Sequence, residues 1–503
     1  MYLILLSILA PILIGIYLLV RKEHSDRKYL LATAGIAFVL TGALVVAALA
    51  TAYGTSFTLF PLTETLSIVF AIDEMSILFS SVTIIVFLCA GFFSFEYMNP
   101  NTAKMRYKRI YLNQETKEKR YYGFYLIVFG VLNALCFAGN LITFYLFFEI
   151  LTLSSMPLVL HNGSREAIMA GLKYLFYSLC GAYMALFGIY FICQNSQTIT
   201  FTAGGVLSGA SDSNTGLLLI VAFVMILGFG VKAGMFPMHA WLPAAHPVAP
   251  APASAVLSAV IVKAGVLALV RVIYYIFGSA FLQDTWVQTA WLILTLVTVF
   301  MGSLLAYREP VLKKRLAYST VSQLSYILFG LAAMGVESVT GSLLHVLAHG
   351  LTKATLFLCA GAIIYITDKT RVDELRGIGK EMPITMWCYT IASLGLIGIP
   401  PTGGFVSKWY LAVGSLSTGL PVFRWLGPVI LLVSALLTAG YLLPPAIMGF
   451  LPGADYDYSH LTKREPSLFM TIPILFMTAA SVLTGLFPTQ LADWIMKFVG
   501  RII

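Results

Sequence analysis

Charge is scarce in this chain. Asp, Glu, Lys and Arg make up 11% of its 503 residues, against about 25% in an average soluble domain. With 59% hydrophobic residues and a mean hydropathy of +0.89, that scarcity excludes a set of soluble globular domains and points to an all-α polytopic membrane protein. Period-2 alternation is also missing, which excludes a membrane barrel. The six cysteines (Cys89, Cys136, Cys180, Cys193, Cys359 and Cys388) are scattered through apolar stretches with no metal-ligand spacing. They read as small core residues, and zinc or iron–sulfur sites are not expected. There is no Walker A run, no dinucleotide fingerprint and no nucleophile elbow, and GGVLSG at 204–209 lacks a strand–helix context. No cofactor is therefore expected in this chain, and any energy source other than an ion gradient must come from partners.

What is present is a succession of apolar runs. Hydropathy predicts about fourteen spans, near 2–20, 29–52, 72–96, 122–138, 141–160, 165–193, 215–240, 254–277, 286–306, 311–334, 338–365, 384–414, 424–449 and 466–488. Their lengths cluster near the roughly 20 residues needed to cross the hydrocarbon. The first lacks a basic leader and a small-residue cleavage site, so it is expected to be a retained helix. Most of the 31 lysines and arginines crowd alternate loops, while the others hold only Arg271, Arg424, Lys497 and Arg501. By the positive-inside rule both termini should lie on the non-cytoplasmic side. The net charge of +9 is then a topology signal facing anionic lipid, and a nucleic-acid partner is not expected.

Two spans are interrupted. One carries Pro237, Pro243, Pro247, Pro250 and Pro252, and the other Pro400, Pro401, Gly403 and Gly404. Freed backbone groups are tolerable in a membrane only where protein buries them or a wet cavity receives them, and paired broken helices mark transport sites. Gly228-Phe229-x-x-Lys232 recurs as Gly404-Phe405-x-x-Lys408, and Gly171-Leu172-Lys173 as Gly350-Leu351-Thr352-Lys353, at nearly one offset. This predicts two inverted five-helix repeats, with broken helices 7 and 12. The expected organisation is 1–121 (three helices and a cytoplasmic loop), 122–277 (helices 4–8), 286–449 (helices 9–13) and 450–503 (helix 14 and a tail).

Six ionisable residues fall inside the apolar runs: Glu149, Lys173, Lys232, Lys263, Lys353 and Lys408. A charge at the bilayer centre costs about 2.5–3.5 kcal/mol even on insertion scales, so each is a functional candidate by default. A Glu149–Lys232 pair that opens and closes would take up and release a proton; a static pair would merely lock two helices. Lys173 and Lys263 could relay protons, or snorkel if nearer a helix end. His345, His349 and Lys353 recur every four residues, placing them on one helix face over about 12 Å, a ladder suited to stepwise transfer or a set of core residues. Without a carboxylate or thiol on that face a metal site is not expected. His239 and Trp241 could cap the first break. Asp73 and Glu74 read as interfacial, and Lys313, Lys314 and Arg315 as cytoplasmic anchors.

The stretches LFFEI (146–150), GFGVKAGMFPMHAWLPAAHPVAPAPASAVLSAVIVK (228–263), LAYSTVSQLSY (316–326), HGLTKATLFL (349–358) and GIPPTGGFVSK (398–408) resemble the antiporter-like membrane subunits shared by respiratory complex I, Mrp-type cation/proton antiporters and energy-converting hydrogenases. The resemblance covers nearly the whole chain and implies a fourteen-helix fold with a hydrophilic axis at mid-membrane. It also implies roles. Glu149 and Lys232 match the gating pair, Lys263 the connecting lysine, His345, His349 and Lys353 the helix-eleven relay, Lys408 the terminal residue, and Lys173 a lysine common on helix six. It implies antiporter-like sibling subunits as partners, with iron–sulfur, hydrogenase or quinone-reducing subunits in some complexes, in a prokaryotic plasma membrane. Lys408 stands where one complex I member type has glutamate. PPTGGFVSK and overall length look most like the D-type member of the Mrp antiporters, whereas GVLNALCFAGNLITFYLFFE departs from it. Proton translocation is the function expected, with direct sodium exchange or a docking scaffold as alternatives.

Overall fold

The computed structural model describes residues 1–21, 26–63, 66–99, 114–207, 214–457, 459 and 462–503. Of the loop cations used for orientation, Lys22, Lys104, Arg106, Lys108 and Arg109 lie outside these, as does the end of the GGVLSG stretch. Among the described residues, twelve helices are long and apolar enough to cross a membrane. The chain runs through α1 (Tyr2–Val20), α2 (Arg27–Thr51), a hairpin of β1 (Ser56–Pro61) and β2 (Ser67–Ala71), α3 (Glu74–Tyr97), α4 (Gln114–Cys136), α5 (Leu141–Val159) and α6 (Arg165–Asn195). Next come α7 (Thr215–Lys232), α8 (Leu242–Val248), α9 (Ala251–Val256), α10 (Lys263–Val270), α11 (Ser279–Leu282), α12 (Trp286–Arg308), α13 (Leu312–Ala333) and α14 (Val336–Thr367). The last are α15 (Ile378–Glu381), α16 (Pro383–Ile397), α17 (Gly403–Leu416), α18 (Pro421–Phe450), α19 (Leu468–Leu486) and α20 (Pro488–Ile502).

Helix starts follow side-chain chemistry. Asn140 accepts from the Thr143 amide at 2.8 Å, Ser164 from the Ala167 amide at 3.1 Å, and Asp73 and Ser76 form a reciprocal capping box on α3. The interior is set by which helices are covered. The continuous span Ala251–Phe277 is buried along 100% of its apolar window and α13 along 94%, whereas α1 and α18 are buried along 33%. The second pair therefore faces the surroundings, and the first forms the centre.

Both breaks fall where proline and glycine place them. α7 stops at Lys232 and the chain turns through 233–241 before α8. α16 ends at Gly398, whose φ of +94° is the left-handed cap that ends a helix. α17 then starts against it so closely that a Cβ on Gly404 would lie 1.9 Å from the Gly395 carbonyl oxygen. Only glycine allows that approach.

Several expectations need correction. Arg271, counted as an outer-loop charge, is 2% exposed; it pairs with Asp73, with one bond at 2.8 Å and a second, shorter one. Its guanidinium also lies over the rings of Phe201 and Tyr275. Asp73 is thus a counter-ion to a buried arginine, while Glu74 pairs with Arg501 and accepts from Tyr53 at 2.9 Å. Lys313 and Arg315 are not surface anchors: both are buried, and Arg315 donates to the carbonyls of Glu309 at 2.7 Å and Tyr441 at 3.0 Å. Lys314 is half-buried and pairs with Glu309. The tail contains an amphipathic helix, α20, burying Ala492, Ile495, Phe498, Val499 and Ile502. The central span also contains two π-type segments, Leu257–Ile261 and Arg271–Phe277, and hydropathy does not register either the hairpin or the π turns.

Gly404→Ala should force the second break apart, at about 1–3 kcal/mol for overpacking, and so lower the melting temperature of the purified protein. Gly216→Ala, where a Cβ meets nothing within 4 Å, should leave it unchanged.

Candidate functional site

The intramembrane series begins at α5 and α7. Lys232, 1% exposed, donates from Nζ to Thr152 Oγ1 at 2.6 Å and to the Phe148 carbonyl at 3.1 Å. It lies 4.2 Å over the Phe148 ring, a favourable cation–π placement. Glu149 is the next residue along, half-buried. Its Oε1 is buried with no hydrogen-bond partner, and among the described residues no salt bridge joins it to Lys232. The expected pair is therefore adjacent in the fold and open. Trp241, fully buried, donates from Nε1 to the Val231 carbonyl at 2.9 Å, so it caps the end of α7 as foreseen. His239 Nδ1 is buried and unbonded.

α10 carries the series inward. A Cβ on Gly265 would touch the Lys232 carbonyl carbon at 3.2 Å, so the helix bearing Lys263 is in backbone contact with the end of α7. Lys263, 1% exposed, donates to the carbonyls of Ser258 at 3.4 Å and of Ala259. Both belong to the π-type segment Leu257–Ile261, where the ordinary i→i+4 ladder is displaced. Its Nζ faces α14 at Gly350, 3.8 Å from where a Cβ would be.

On α14 the face foreseen for His345, His349 and Lys353 exists. The two rings stack with centroids 5.9 Å apart. Both His349 nitrogens are buried without a partner. His345 Nε2 is 3.1 Å from Gln323 Oε1 and Nδ1 is 2.8 Å from Ser407 Oγ. An amide oxygen only accepts, so in the neutral ring Nε2 carries the proton and Nδ1 accepts from the serine. Lys353 donates to the Leu316 carbonyl at 3.0 Å. Next to Ser407, Lys408 donates to the carbonyls of Leu396 at 2.8 Å and Ile397 at 3.0 Å. These are the free carbonyls at the C-terminal end of α16, where a cation is favoured. The Lys408 ammonium also lies 4.8 Å from the centre of the Tyr326 ring, which stacks on His345.

Lys173 stands apart. It is exposed on α6, unlike Lys353, its counterpart in the matching sequence stretch, which is 0% exposed. Sequence reasoning missed a branch near α8. His246 is 0% exposed, has both ring nitrogens unbonded and stacks on Phe357 at 4.8 Å. Lys313 donates to the carbonyls of Pro247, at 3.2 Å, and Ala249 beside it. The signal was the histidine within a proline-broken segment. Among the described residues no three His, Cys, Asp or Glu side chains gather in a metal-holding group.

Fold and site together define an antiporter-like helical membrane protein, with interrupted spans and a buried succession of amines and imidazoles. A family profile described as NADH:quinone oxidoreductase/Mrp antiporter, TM matches residues 138–451. The NADH-quinone oxidoreductase subunit N of Desulforudis audaxviator is 32% identical over 409 residues, 79% of this chain and 80% of that one. The D-type member of the Na(+)/H(+) antiporter of Bacillus subtilis is 29% identical over 422 residues, 83% and 81% of the two chains. A chain in the structure of the membrane-bound sulfane sulfur reductase, an archaeal respiratory membrane complex, superposes with a TM-score of 0.84 at 22% identity, covering 99% of this chain and 97% of that one. The chain belongs to the NADH:quinone oxidoreductase/Mrp antiporter family of membrane subunits.

Thr152→Val keeps the shape and removes one acceptor from Lys232. A bond to a charged group contributes about 1.5–3 kcal/mol, so the melting temperature should fall. Thr289→Val, which removes a half-buried hydroxyl bonded only within its own helix, should leave it unchanged.

Proposed function

We propose that this subunit translocates protons along the mid-membrane series, without redox chemistry or a cofactor of its own. The observation that carries the reading is the succession of Lys232, Lys263, His349, His345 and Lys408, each buried or half-buried and linked by the Gly265–Lys232 backbone approach, the Lys263 ammonium beside Gly350, the stacked histidines and Ser407 on His345. Among the described residues Glu149 is the carboxylate placed to pair with Lys232. Closing that pair would hold both groups charged, and opening it would hand a proton on, so the pair acts as the gate. Lys263 and the two histidines relay, and Lys408 exchanges with the far side. Lys353, with His246 and Lys313 behind it, would serve a branch toward the side where Lys314 is partly exposed. Lys173, exposed on α6, would face a neighbouring subunit.

The organisation we infer is fourteen crossings with two inverted five-helix repeats, 122–277 and 286–449, flanked by 1–121 and 450–503. α4 and the interrupted pair α16 and α17 would complete the twelve long apolar helices. Both termini would lie outside a prokaryotic plasma membrane. Sibling antiporter-like subunits are the proposed partners, with quinone-reducing or hydrogenase-type iron–sulfur subunits supplying the drive in a redox complex. A second reading, direct sodium exchange, is favoured by the likeness to a Na(+)/H(+) antiporter component. Sodium prefers several oxygen ligands and a lysine-lined path repels it, so proton transport is the stronger reading.

In vesicles containing the assembled complex, Glu149→Gln and Lys232→Ala should each lower coupled proton movement at least about tenfold, as loss of a positioned proton-transfer group does, with subunit assembly intact. Wild-type pumping by either variant would remove the gate from the account. A signal that vanishes without sodium would favour the second reading.

A further inference from the structure

α1 and α2 leave an apolar groove of about 520 Å³ on the outer surface, lined by Leu13, Ile14 and Tyr17 from one helix and Tyr29, Thr33 and Ile36 among others from the second. Two of the lining side chains are among the more exposed large apolar groups of the described residues, Leu13 at 61% and Ile36 at 68%. Ala32 and Ala37 give the hollow its depth. At one end the groove acquires a polar head. Tyr17 and Tyr29 approach hydroxyl to hydroxyl at 3.3 Å, and the Arg21 guanidinium lies 4.0 Å from the centre of the Tyr29 ring. Arg21 Nη1 is buried and has no hydrogen-bond partner. Lys28 is exposed at the start of α2.

We propose that this groove binds one anionic phospholipid, its acyl chain along Leu13 and Ile36 and its phosphate on Arg21. A guanidinium stacked on a ring keeps its N–H groups in the planar fork that matches phosphate oxygens, and Nη1, buried beside the Tyr29 ring, is met by no protein acceptor. From Arg21 to Leu13 the groove descends about 12 Å along α1, the direction an acyl chain takes below a headgroup. A partner helix would cover the apolar walls but leave the arginine unanswered unless it also brought an anion. Free phosphate would answer the arginine and leave the groove empty. An anionic lipid satisfies both. The inference is independent of the transport reading, because no residue of the proton series lines the groove.

The test uses the full-length purified protein in detergent, followed by thermal unfolding with phosphatidylglycerol, phosphatidylcholine or inorganic phosphate added. Phosphatidylglycerol should raise the melting temperature more than phosphatidylcholine, and phosphate alone should not raise it. Arg21→Gln should lose the difference between the two lipids while melting normally without lipid. Ala32→Trp, which fills the hollow, should lose the gain from both. Phosphatidylglycerol with a photoreactive acyl chain should label peptides of α1 and α2. Equal gains from both lipids, a gain reproduced by phosphate, an unchanged difference in Arg21→Gln, or labelling confined to other helices would each overturn the proposal.

Discussion

The structure depends on how it holds buried ammonium groups that have no counter-ion. Lys232, Lys263, Lys353, Lys408 and Lys313 each donate to backbone carbonyls, and none forms a salt bridge among the described residues. Moving an unpaired ammonium out of water is prohibitive unless polar groups replace its hydration. Carbonyls already bonded within a helix are poor substitutes. Interruptions in the helices release better ones: the π segment for Lys263, the end of α16 for Lys408, and the end of α8 for Lys313. These interruptions, which look like defects of regular structure, solvate three of the five lysines; Lys232 and Lys353 donate to carbonyls inside α5 and α13.

This arrangement differs from that of the buried arginine. Arg271 has a carboxylate partner in Asp73 and two aromatic rings, a closed arrangement that fixes α3 against the central span. Removing one member of such a pair strands a buried charge, which typically costs about 3–5 kcal/mol. Apart from Lys232, which lies beside Glu149, the lysines are held by neutral dipoles, so loss of a proton would leave no opposite charge stranded. The two histidines with both nitrogens unbonded, His349 and His246, lie in the same region.

Much of this was legible in the sequence because it is local. Hydropathy placed most of the long helices within a few residues, though α4 begins eight residues earlier and α7 ends eight residues sooner than expected; proline and glycine placed both breaks, and the four-residue spacing of His345, His349 and Lys353 put them on one face. What was missed depends on contacts distant in the chain. Asp73 and Arg271 meet across 198 positions, and no single-sequence pattern ties them together. Lys313 and Arg315 read as anchors because three adjacent cations normally mark a membrane surface; the carbonyls of α8 and of Tyr441 draw two of them inward. Lys173 lies within the candidate span α6, as its apolar surroundings suggested, but hydropathy does not say which side of a helix faces outward. Whether Glu149 touches Lys232 was likewise beyond sequence. The π turns remained hidden because π and α segments share one hydrophobic pattern.

The central claim is that a lysine held only by carbonyls serves transport and not architecture. Lys263→Met in the assembled complex, reconstituted in vesicles, tests it most directly, with stability and proton movement measured on the same preparation. Replacing an unpaired buried ammonium by an apolar chain of similar volume should leave the melting temperature unchanged or higher. The expected result is a stable, assembled complex that no longer moves protons. A stable variant pumping at the wild-type rate would contradict it.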